Sequence, residues 1–197
     1  DSRDILTIKG LIRRGEARTA SSYNNIPLDR VHFLDLPFYE TGKIQKNPIS
    51  EADVEIVRNL LREIKPHQIF VAGDLADPHG THRVCTDAVF AAVDLEKEEG
   101  AKWLKDCRIW MYRGAWAEWE IENIEMAVPI SPEELRAKRN SILKHQSQME
   151  SAPFLGNDER LFWQRSEDRN RGTAALYDNL GLASYEAMEA FVEYIPL

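Results

Sequence analysis

The densest run of chemically capable side chains is Gly73-Asp74-Leu75-Ala76-Asp77-Pro78-His79-Gly80-Thr81-His82, where Asp74, Asp77, His79, Thr81 and His82 fall within nine positions. Two imidazoles three residues apart in the first turn of a helix stand about 5–6 Å apart at Cβ, close enough to serve one site. Neutral imidazole ligates metals and moves protons near neutral pH, and an adjacent carboxylate orients a ring or takes a proton. That chemistry suits a metal site. The same spacing also describes a capped or solvated pair at a helix start, and His-x-x-His by itself does not decide between the two.

The flanking elements give the run a place. Gln68-Ile69-Phe70-Val71-Ala72, between Pro66 and Gly73, reads as a strand buried on both faces, and Val84, Ala88, Val89, Ala92 and Val93 mark a following helix with Cys85 on its apolar side. In open α/β sheets ligands bind beyond the carboxyl ends of the strands, which is where a loop between these two elements must lie. Ile5, Leu6, Leu11, Ile12, Ala17 and Ala20 recur at helical steps, so the spacing predicts a helix over about 3–23. Val31 to Leu36 reads as a strand, and Ser50 with Asp53 caps a helix carrying Val54, Val57, Leu60, Leu61 and Ile64. Cys107 to Tyr112 and Ile124 to Ile130 read as further strands, the latter stopping at Pro129. Ser131-Pro132-Glu133-Glu134 opens a helix over about 132–149, Asn157 is a candidate cap for another through Trp163, and Ser184 a start for a last helix through Met188 and Phe191. Glu96 to Gly100 reads as a solvated helix end. Strands alternating with helices predict an α/β, Rossmann-like fold: a mostly parallel sheet with helices on both faces and a helical C-terminal third.

Composition narrows the classes. The 197 residues carry 25 Lys and Arg against 33 Asp and Glu, net charge −8, which argues against a surface made to neutralise phosphates and hence against nucleic acid. The longest apolar run, Ala88 to Val93, is far short of the ~20 residues of a membrane span. Cys85 and Cys107 form no CxxC, which fits a reducing cytoplasm. Length and composition suit one domain over 1–197 and leave a homo-oligomer open.

Read as a string, FVAGDLADPHGTHRVCTDAV resembles the second signature of the LmbE/PIG-L family of metal-dependent N-deacetylases. Arg13-Arg14-Gly15-Glu16-Ala17 followed by Val31-His32-Phe33-Leu34-Asp35-Leu36-Pro37 looks like that family's Arg-x-x-Glu helix and next strand, and Lys144-His145-Gln146-Ser147-Gln148 is similar to its late His-x-Ser-Gln segment. HFLDLPFYETGKI, GDLADPHGTHRVC, YRGAWAEW and KHQSQM more narrowly resemble the LmbE-like module fused, in some bacteria, to a glucosamine-6-phosphate deaminase. The resemblance implies a divalent metal, zinc by donor type, with His82 a ligand, and His79 with Asp77 as catalytic groups. It implies an amino sugar or sugar phosphate as substrate, with Arg13 reaching its oxygens. Arg113 follows a predicted strand and so falls at the same carboxyl edge, with Trp116 or Trp119 able to wall a sugar ring, and His145 with Gln148 lies on one helical face, either behind the metal loop or as polar surface. A partner for Glu16 is an equal account of Arg13, and ordinary burial a ready account of Trp116. The family's His-Pro-Asp-Asp loop after its first strand is not in this sequence, and a helix comes first. The expectation is therefore a domain lacking its first strand, with metal binding weak or absent and no deacetylase activity in these residues alone. A noncatalytic sugar-binding or regulatory module of the fused deaminase is the alternative.

Overall fold

The computed structural model describes residues 2–39, 47–73, 80–115, 118–149 and 159–196. Its longer elements are α1 (Arg3–Tyr23), α2 (Glu51–Ile64), β1 (Gln68–Ala72), α3 (Thr81–Glu98), β2 (Arg108–Tyr112), β3 (Met126–Ile130), α4 (Pro132–Ile142), α5 (Gln146–Met149), α6 (Phe162–Asn179) and β4 (Ala187–Tyr194). The strands are ordered β1-β2-β4-β3 in one sheet. The α/β class holds, but the sheet is mixed. β1 and β2 run parallel in register from Gln68↔Arg108 to Ala72↔Tyr112, whereas β4 runs antiparallel to β2.

The chain divides into two compact units, one of residues 1–33 and 128–189, the other of 34–127 and 190–197. The second holds a continuous core of Val54, Val57 and Leu61 from α2, Ala88, Ala92 and Val93 from α3, and Val71 and Ile109 from the strands. α2 begins where its sequence says it should. Ser50 and Asp53 form a reciprocal capping box, and Asp53, fully buried, also accepts the Phe38 amide at 2.8 Å. Burial alone would raise this carboxyl. The bonds from the Ser50 hydroxyl and from the Phe38 and Ser50 amides outweigh it and hold the group below its ordinary value.

The first unit is organised by charge. Lys138 donates to Asn170 and Glu189 at 2.6 Å each, Arg169 pairs with Glu189, and Asn170, fully buried, donates to the Met188 carbonyl. Arg139 grips Glu167 through two bonds of 2.5 and 2.7 Å and lies 4.5 Å over the Trp163 ring.

Several expectations are corrected. Residues 31–36 form no strand, because a 3-10 turn at Leu28–Arg30 precedes them and Asp35 takes a left-handed φ of 50°, which breaks an extended run. The helix expected over 132–149 breaks after Ile142, where Lys144 and His145 make tight-turn bonds to Ser141 and Ile142, and resumes as α5. α6 starts at Phe162 with Leu161 as its cap, closed by the Gln164 side chain, while Asn157 lies outside the described residues. The last expected helix is the strand β4. Ala, Met and Glu favour helix locally, but β4 lies between β2 and β3 in the sheet, with Phe191–Tyr194 paired to β2, and sheet pairing overrides propensity. Pro129 sits within β3 rather than ending it, as an edge strand permits. β1 is an edge strand with Phe70 exposed, not one buried on both faces. Cys85 is exposed, while Cys107 is half-buried and its thiol is pushed up by burial. Glu96 is buried, not solvated: its Oε1 accepts Nε of both Arg58 and Arg62 at 2.6 Å.

Candidate functional site

In the second unit, the carboxyl ends of β1 and β2 meet at Gly73. Its amide donates to the Tyr112 carbonyl at 2.7 Å, and its own carbonyl accepts Arg113 Nη1 at 3.1 Å. The Arg113 guanidinium lies 4.5 Å over the Trp119 ring, so an arginine leaving the end of β2 is fixed on two sides. Glycine is required here by close approach. A Cβ on Gly73 would stand 2.7 Å from Trp119 Cζ2 and 2.8 Å from Met111 Cβ. Arg113 Nε and Trp119 Nε1 are both buried without a hydrogen-bond partner, polar atoms left over after the local packing is complete.

α3 starts across the loop from this point. Gly80, at φ 67°, is its cap residue and provides no side-chain bond to the helix amides. A glycine reaches that left-handed cap at no steric cost, and a bare helix N-terminus presents amides and a positive dipole end. Thr86 Oγ1 donates to the Ala72 carbonyl at 2.7 Å, tying α3 to the end of β1. His82 lies in the first turn of α3 and is exposed. Asp74, Asp77, His79 and Trp116 fall outside the described residues. Arg113 and Trp119 therefore stand at the sheet edge where the sequence put them, and Trp119 serves as the platform for the arginine.

The first unit joins two other segments of the sequence reading. Glu16 on α1 accepts both the Ser147 amide, at 2.7 Å, and the Ser147 hydroxyl, at 2.6 Å, bringing Arg-x-x-Glu and His-x-Ser-Gln together across 131 residues. Burial alone would raise the Glu16 carboxyl; the two Ser147 bonds, then the charges of His145 and Arg13, bring it below its ordinary value. Arg13 is exposed and acts on Glu16, and His145 lies half-buried in the turn between α4 and α5. The sequence points to Arg13 and His145 but not to the Glu16–Ser147 bond. Only the shared resemblance of the two segments hinted at it.

Among the described residues no three His, Cys, Asp or Glu side chains come together as a metal site. A catalytic zinc takes three protein ligands. His82 is one donor, so the described residues do not compose such a site. No described helix is long and apolar enough to cross a membrane.

No protein-family model matches the chain. It is 99% identical over all 197 residues to a Bacteroides thetaiotaomicron protein described as glucosamine-6-phosphate deaminase-like, and spans 30% of that protein's length. The fold is similar to that of a conserved Thermus thermophilus protein, with a TM-score of 0.56 and 19% identity, covering 94% of this chain and 74% of that one. It is also similar to a deacetylase of the teicoplanin biosynthesis pathway, with a TM-score of 0.51 and 19% identity, covering 93% of this chain and 73% of that one.

Proposed function

We propose that this chain is an amino-sugar module: an N-deacetylase-type amidohydrolase unit for an N-acetylglucosamine-type substrate, within a longer glucosamine-6-phosphate deaminase-like polypeptide. The observation that carries the reading is the edge at Gly73, where an arginine leaving β2 is clamped by the Gly73 carbonyl and the Trp119 indole at the carboxyl ends of β1 and β2. The near-identical deaminase-like protein and the fold shared with a deacetylase support the amino-sugar and amide parts.

Amide hydrolysis needs a group to polarise the carbonyl, a base for water and an acid for the departing amine. In this reading His79 polarises the acetyl carbonyl and stabilises its oxyanion or protonates the departing amine, Asp77 orients the imidazole, the base that takes the proton of the attacking water would come from the polypeptide outside these 197 residues, and Arg113 holds a sugar or phosphate oxygen through its fork of donors. From the resemblance and the sequence alone, Arg13 is read as a contact for sugar oxygens, Trp116 as an apolar wall and His145 as a supporting residue. A divalent metal, zinc by its imidazole donor, would belong to the complete polypeptide, with His82 one ligand and the others supplied from outside these 197 residues. The 197 residues alone are then inactive.

The test is acetate release from N-acetylglucosamine and its phosphate by the complete polypeptide in the presence of zinc. His79→Ala is expected to lower the rate by about 100-fold or more. Folded wild-type polypeptide that releases no acetate overturns the amidohydrolase reading; saturable sugar binding in that case identifies a noncatalytic module. Calorimetric zinc titration of the 197 residues is expected to give no tight stoichiometric binding. Sub-micromolar binding that is lost in His82→Ala overturns that part.

A further inference from the structure

α1 carries apolar residues on two faces. Leu6, Gly10, Ala17 and Ala20 are half-buried or buried within their own unit. At 100° per residue, Ile5, Ile8, Leu11 and Ile12 occupy a sector of about 120° on the opposite side. Their exposures are 44, 57, 62 and 49%, so four large aliphatic side chains stand side by side in water over the first three turns. One exposed leucine is ordinary; a contiguous aliphatic stripe opposite a packed face is the pattern of a helix covered on both sides.

From this stripe we infer that the Ile5-Ile8-Leu11-Ile12 face of α1 is a docking surface for the part of the longer polypeptide that lies outside these 197 residues, received through an apolar helix or sheet face. The length outside the structure argues for that occupant: the near-identical protein is more than three times as long, since this chain spans 30% of it. A covalently joined segment meets the stripe at an effective concentration of about millimolar, where a separate partner must compete from far lower levels. The basic residues of α1, Arg3, Lys9, Arg13, Arg14 and Arg18, against Asp4 and Glu16, would also suit a helix lying on an anionic membrane, so a lipid surface is one of the outcomes to be separated.

The test introduces Ile8→Cys and Leu11→Cys, one at a time, into the 197-residue chain and into the complete polypeptide. Alkylation of the peptide bearing the new thiol is followed by mass spectrometry and normalised to a short free cysteine peptide. In the 197-residue chain the rate is expected to stay within about 3-fold of the free peptide, and in the complete polypeptide to fall at least about 10-fold below that. Amide exchange of residues 3–13 in the two unsubstituted proteins gives the same comparison without a new thiol, and is expected to slow in the complete polypeptide. Equal labelling and equal exchange in both proteins overturn the inference. Slow labelling of the 197-residue chain together with a dimer in sedimentation assigns the stripe to a second copy instead. Labelling of the complete polypeptide that is fast in buffer and slowed by anionic phosphatidylserine vesicles assigns it to a membrane.

Discussion

Gly73→Ala is the sharpest perturbation of the sheet edge. The added methyl would stand 2.8 Å from Met111 Cβ, an atom fixed by the backbone of β2 and held in register opposite Val71, and 2.7 and 3.0 Å from Trp119 Cζ2 and Cη2. Relief of the indole contact requires Trp119 to move, while the Met111 contact is relieved only by a shift of the paired strands. Displacement of Trp119 removes the platform 4.5 Å beneath the Arg113 guanidinium. Overpacking of this kind costs about 1–3 kcal/mol and loss of a partly desolvated cation–π contact about 0.5–2 kcal/mol, giving a total of about 3 kcal/mol. Urea unfolding followed by tryptophan fluorescence should show the midpoint fall by about 1–2 M. In a Trp119→Ala background the indole clash and the stacked contact are both absent while the Met111 clash remains. Gly73→Ala should then cost less, with a coupling of about 1–2 kcal/mol in the double-mutant cycle. A cost below about 0.5 kcal/mol, or the same cost with and without the indole, would refute the packing argument.

Three further outcomes follow from the charged groups. Asp53→Ala leaves the buried Phe38 amide unpaired and uncaps α2, and should cost about 2–4 kcal/mol at neutral pH. Because the folded-state carboxyl lies below its ordinary value of 3.8, its contribution is present above that pH and lost as pH falls through the folded value; the stability gap to Asp53→Asn should shrink below about pH 4, and a constant gap from pH 7 to 3 contradicts the assignment. Glu96→Ala strips the shared acceptor from Arg58 and Arg62 and should lower the urea midpoint by about 1 M, whereas Glu99→Ala, at the exposed end of the network, should move it much less. Ser147→Ala removes a hydroxyl donor from Glu16, so the Glu16 carboxyl should titrate at higher pH in a side-chain NMR titration; an unmoved curve would show the bond to be absent in solution.

Where local signals agree with long-range contacts, the sequence reading and the structure coincide. α1 spans the predicted 3–23, Ser50 with Asp53 and Ser131 with Glu134 cap the helices they were read to cap, and β1 and β2 fall on their apolar runs. These signals are contained within a few residues: a hydroxyl three positions before a carboxylate, an apolar face at helical steps, a short β-rich run between breakers. The mistaken elements are those whose identity depends on a distant partner. Phe191 and Val192 fit a helix as well as a strand until β2 supplies a ladder to pair with. Glu96 looks like a solvated charge until two arginines from α2 reach it.

The candidate site divides in the same way. Residue types and spacing mark the histidine run and Arg113, and the resemblance of short strings to a known family marks Arg13 and the late His-x-Ser-Gln segment. Tertiary structure decides what each one touches: that Gly73 is glycine because an indole and a methionine crowd it, that Arg113 rests on Trp119, and that Glu16 holds Ser147 across 131 residues. Side-chain chemistry is a property of the residue, while contact between residues far apart in the chain arises only when packing brings the elements together. Composition and periodicity carry no record of those meetings.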